Sequence, residues 1–127
     1  MDFNTYTKEV ERTVAPLNED FLDQLHMAIG IATEAGELLD AYKKAFAYGK
    51  TLDEVNVSEE VGDLMWYIAN LLRMLNIDMS SVLQINVDKL KARYPEKFDQ
   101  VKAQKRDLQK EREILERLGY RVDSASK

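Results

Sequence analysis

The chain has no cysteine among its 127 residues, which excludes a disulfide framework and any thiolate metal site. It has only two prolines and five glycines, a shortage that suits helices better than the many tight turns of a β-rich domain. Its single histidine, His26, cannot supply the two Glu-x-x-His motifs of a carboxylate-bridged di-iron bundle. No apolar run is long enough to span a bilayer, and residues 1–5 lack the basic start and apolar stretch of a signal peptide, so the expected setting is cytoplasmic, with no membrane partner. The formal net charge of -5 argues against a nucleic-acid partner, whose phosphates call for clustered basic residues.

What is present is a chain 45% hydrophobic and 32% charged, of a length that fits one domain. An all-α helical bundle of four to five helices is expected. A single domain should cover residues 1–118, with its core at about 20–106, a charged C-terminal helix at about 99–118 and a flexible tail at 119–127. Phe3, Tyr6, Val10 and Val14 mark a short helix over residues 3–14, before Pro16. From Glu19 to Tyr48 the apolar positions Phe21, Leu22, Leu25, Ile29, Ala32, Leu38, Leu39, Tyr42 and Phe46 recur every three or four residues, and Gly49 is a stop signal. Gly30 and Gly36 inside this helix each cost about 1 kcal/mol relative to Ala, which points to close approach of another group. Thr51 to Glu54 has the form of a capping box, and residues 58–75 form a helix with a wide apolar face. Asp78 is an N-cap for a fourth helix that runs to Tyr94 and Pro95. Val101, Leu108 and Leu115 lie one heptad apart in the charged stretch that follows and predict a fifth helix.

Two acidic pairs stand out, Glu34-Ala-Gly-Glu37 and Glu60-Val-Gly-Asp63. Three-residue spacing puts each pair on one helix face. The pairs share a midpoint between Tyr48 and Gly49, so a helical hairpin turning there sets Glu37 against Glu60 and Glu34 against Asp63. A single such pair is ordinarily a solvated face. Two pairs among Ile31, Leu38, Val61 and Leu64 need a counter-ion or solvent, and oxygen ligands without sulfur or imidazole favour Mg2+, with Mn2+ possible.

Downstream, Asn86, Lys89 and Arg93 fall near one helix face at successive turns, followed by Tyr94. Arg and Lys are the charge-assisted donors that a polyphosphate needs, and an exposed basic face is the plain alternative. Lys43 and Lys44 read more simply as exposed. His26, Trp66 and Tyr67 read first as packed residues, with a role at a nucleobase pocket as the functional option.

Taken together, His26 to Glu37, the run Ser58-Glu-Glu-Val-Gly-Asp-Leu-Met-Trp-Tyr67 and the run Asn86-Val-Asp-Lys-Leu-Lys-Ala-Arg-Tyr-Pro95 resemble the MazG-like nucleotide pyrophosphohydrolases. The pattern is Glu-x-x-Glu, a variable interval, Glu-x-x-Asp, then Lys-x-x-x-Arg-Tyr-Pro, and it covers about residues 20–106. Thr33 departs from it, standing before Glu34 where many members carry a further glutamate.

The resemblance implies an all-α enzyme that hydrolyses nucleoside triphosphates to a monophosphate and pyrophosphate. Its active site would lie between two antiparallel helices and be completed by a second subunit of a homodimer or homotetramer. Glu34, Glu37, Glu60 and Asp63 would be metal ligands, with Glu34 or Glu37 also activating water. Asn86, Lys89, Arg93, Tyr94, Tyr67, Trp66 and His26 would contact substrate. The competing expectation is a non-catalytic helical interaction module with merely superficial acidic pairs.

Overall fold

The computed structural model describes residues 1–121, and within them the secondary structure is helical. Six helices are present among the described residues: α1 (Phe3–Glu11), α2 (Asp20–Tyr48), α3 (Glu54–Met74), α4 (Met79–Arg93), α5 (Gln100–Gln104) and α6 (Leu108–Leu115). Length alone predicts one domain. The described residues group into two compact units, Met1–Leu75 and the segment from Asn76 onward.

In the first unit α2 and α3 form an antiparallel hairpin. Gly49 ends α2 in the left-handed region at φ 61°, a conformation that costs glycine little. The expected capping box from Thr51 does not form. Asp53 is the cap, its carboxylate accepting from the Val55 and Asn56 amides at 3.1 Å each. This starts α3 four residues before the predicted Ser58. α1 stops at Glu11 rather than at residue 14. It packs on α3, with Arg73 Nη1 3.4 Å from Glu11 Oε1.

α2 carries two apolar stripes on opposite sides. The inward one runs through Met27, Ile31, Leu38 and Ala41, all buried or half-buried, and meets α3. The outward one contains most of the residues that sequence periodicity selects. Phe21, Ile29, Leu39, Tyr42 and Phe46 are each more than half exposed. Two packed helices share one seam, and a 29-residue helix that is apolar on both sides leaves its second stripe uncovered. Gly36 lies on that outer side with nothing within 4 Å of the place a Cβ would occupy.

The second unit packs α6 on α4. Asp78 caps α4 as expected, accepting from the Ser81 amide at 2.7 Å. The predicted helix over residues 99–118 is broken between α5 and α6, because Asp107 turns its carboxylate onto the Lys110 amide and starts a new helix. Val101, Leu108 and Leu115 are exposed and form no seam. Residues 119–121, the first of the expected tail, carry hydrogen bonds: Asp78 N donates to Gly119 O, Gly119 N to Ser81 Oγ, and Arg121 N to Asn76 O. The flexibility expected of the last residues falls, from 122 on, outside the described part of the chain.

Candidate active site

α2 projects Glu34 and Glu37 from adjacent turns toward Glu60 on α3. Each of the three offers one carboxylate oxygen, and those oxygens lie within 4.8 Å of one another. Glu60 is only 7% exposed. Its Oε1 accepts from Asn56 Nδ2 at 2.6 Å, whereas its buried Oε2 has no partner. A buried carboxylate oxygen left without a donor costs stability, and a divalent cation is the ligand that would satisfy it while relieving three like charges. The residues present therefore fit a hard cation bound through oxygen.

Electrostatics agree with the geometry. The Glu34 carboxyl is held above its ordinary value, first by burial and then by the charges of Glu37, Asp63 and Glu60. Asp63 is exposed, and with Glu34, Trp66 and Tyr67 it lines a cleft of about 310 Å³. The hairpin register follows the midpoint between Tyr48 and Gly49: Gly30 lies against Tyr67, and a methyl built at Gly30 would overlap the Tyr67 ring. The close approach that Gly30 signals in sequence is thus to an aromatic side chain.

The aromatic candidates form a row along this wall. The Trp66 and Tyr67 rings meet edge to face at 4.9 Å, and Tyr67 meets His26 at 6.2 Å. His26 is exposed rather than packed. Lys43 and Lys44 both pair with Asp40, at 2.9 and 2.8 Å, and these exposed pairs are worth little. Thr33, the departure from the motif, donates its hydroxyl to Gly30 O at 3.0 Å.

Residues 23–98, more than half of the chain, match the MazG nucleotide pyrophosphohydrolase domain. The chain belongs to this family. It is also 35% identical over 75 residues to the Gene 37 protein of Mycobacterium phage L5, an alignment covering 54% of this chain and 63% of the phage protein. The chain thus spans less than two thirds of that relative's length. No solved structure matches it.

The downstream part of the MazG match belongs to the second unit. There Asn86 is exposed, and Lys89 and Tyr94 are half-buried. Arg93 is engaged within the unit: its Nε and Nη2 donate to the two oxygens of Glu111 at 2.8 and 2.9 Å. Arg106 grips the same carboxylate, which is 4% exposed. The Glu111 carboxyl is held down to about 2, by Arg93 first and then Arg106.

Two neighbours of the acidic residues carry no mark in the sequence reading. Asn56 precedes Glu60 by one helical turn, and that i,i+4 spacing is the signal that marks it as a partner. Tyr6 has no local signal. Burial, with the charge of Asp63 second, pushes its hydroxyl above the ordinary value, which only the packing of α1 explains. No helix among the described residues is long and apolar enough to cross a membrane.

Proposed function

We propose that this MazG-family chain is a Mg2+-dependent nucleoside triphosphate pyrophosphohydrolase, cleaving (d)NTP between the α and β phosphates to (d)NMP and pyrophosphate. The observation that carries the reading is the cluster of Glu34, Glu37 and Glu60 oxygens within 4.8 Å, with one buried Glu60 oxygen unpartnered. Those three residues and Asp63 would hold the ion, and Mn2+ fits the same donor set. When bound, such a cation neutralises triphosphate oxygens and makes water easier to ionise.

The chain's own groups do the rest. Glu34 or Glu37 accepts the proton of the attacking water. By their place in the motif, Lys89 and Arg93 are assigned to compensating charge that moves onto the leaving pyrophosphate. Asn86 and Tyr94 orient the phosphates, while Trp66, Tyr67 and His26 flank the base.

The reading includes a cytoplasmic homodimer or homotetramer in which a second copy helps to complete each site. The outward stripe of α2 supports this, because Ile29, Leu39 and Tyr42 would otherwise stay in water.

The test is a panel of ribo- and deoxynucleoside triphosphates with Mg2+, following pyrophosphate and orthophosphate separately. Pyrophosphate with the matching monophosphate is the expected product pair. Orthophosphate as the primary product would overturn α–β cleavage.

A further inference from the structure

Trp66 is the single tryptophan of the chain, and its indole is fixed from outside the hairpin. Its Nε1 donates to Thr13 Oγ1 at 2.8 Å, across 53 residues of sequence. Thr13 follows the end of α1, and its own hydroxyl donates to Val10 O at 2.7 Å. A hydroxyl has one proton. With that proton committed to Val10, the oxygen faces the indole only as an acceptor, so the orientation of the contact is determined.

α1 is itself anchored on α3, through buried Val10 and the Glu11 to Arg73 contact. The indole is therefore clamped between the end of α1 and the edge of Tyr67. It also forms part of the cleft wall beside Glu34 and Asp63.

We infer that Thr13 is a positioning residue that consumes the Trp66 N–H and holds the indole ring in the cleft as a stacking surface for the nucleobase. This rests on the pyrophosphohydrolase reading and deepens it. An indole whose N–H is already bonded offers a bound base only its π surface. Stacking tolerates any base, because every base has a π face, and it favours the larger purines. Trp66 thus contributes affinity without hydrogen-bond readout, and its contribution needs a base to be present.

Thr13→Val keeps the shape of the side chain and removes the acceptor; Thr13→Ser restores it. For purine nucleoside triphosphates the valine variant should raise KM by up to about fivefold, because an indole no longer held spends part of its time outside the stacking orientation and the lost bond, worth about 1 kcal/mol, bounds that shift. Its kcat should be unchanged, and serine should return KM to normal. For ribose 5′-triphosphate, which has no base, KM should not move.

Trp66 fluorescence gives a readout besides activity. Emission and anisotropy of the metal-free protein should differ between Thr13→Val and wild type and recover in Thr13→Ser. Thr13→Val in a Trp66→Phe background should add nothing further to KM, which keeps the test valid if the valine variant alone is less stable.

Equal KM changes with and without a base, or a kcat loss in place of a KM rise, would overturn the inference while leaving the pyrophosphohydrolase reading intact. If no triphosphate is turned over by wild type and none quenches Trp66, both readings fail.

Discussion

Among the described residues two glutamates are buried, one in each unit, and they are treated in opposite ways. Glu60, in the first unit, faces Glu34 and Glu37 and keeps one oxygen unpartnered. Glu111, in the second, has both oxygens gripped by Arg93 and Arg106. The surroundings differ in the same sense: residues 1–75 carry 14 acidic and 6 basic side chains, whereas those from 76 onward carry 9 and 12. One buried carboxylate is left wanting a cation, and the other has been given two. The first arrangement costs stability and fits a bound cation; the second is a structural joint between α4 and the start of α6.

The contrast is broken most severely by removing charge from the first unit. Glu37→Gln or Asp63→Asn should reduce turnover about a hundredfold or more while leaving the helical circular dichroism unchanged. Retained activity in both variants would show that the acidic pairs are not the reaction centre.

A large effect of another kind is expected in the second unit. Glu111→Gln leaves Arg93 and Arg106 without their shared anion and should lower the thermal midpoint more than any exposed charge substitution, such as Lys43→Ala. Its pH dependence has a definite sign. The Glu111 carboxyl titrates at about 2 in the folded chain against an ordinary value of 4.5, so its stabilisation is complete above that ordinary value and is lost as pH falls toward 2. Melting curves of wild type and Glu111→Gln should therefore converge on acidification.

The reverse sign applies at the acidic cluster. Glu34 titrates above its ordinary value, so its ionisation opposes folding as pH rises through that value. Glu34→Gln should raise the thermal midpoint of metal-free protein at neutral pH, and the gain should vanish in acid. In wild type, Mg2+ should raise the same midpoint and chelation should reverse it.

The smallest perturbation concerns assembly. Leu39→Glu, on the outward stripe of α2, should shift light-scattering mass toward the monomer.

Much of this was legible in the sequence because it is local. Helical periodicity, the caps at Gly49 and Asp78, and the shared midpoint of the acidic pairs are all read within a few turns of chain. The direction of burial along α2 was not, since two apolar stripes of similar strength give no sign of which one meets α3. The break at Asp107 is hidden because the heptad of apolar residues suggests one continuous helix, whereas Asp107 caps a new one. Thr13 and Tyr6 were invisible for a different reason. Their importance arises only when α1 folds back on α3, more than 50 residues away along the chain.

Gly30 shows how such a site constrains the helix that carries it. Alanine there would strengthen α2 by about 1 kcal/mol through helix propensity alone, and its methyl would drive the Tyr67 ring out of the wall it shares with Trp66. The helix carries a weak helix former at one position, and an aromatic ring occupies the space that a Cβ would fill. The overlap costs about 1–3 kcal/mol, more than the propensity gain, so selection for heat resistance should keep glycine at position 30, where stability and the shape of the cleft rest on the same missing methyl.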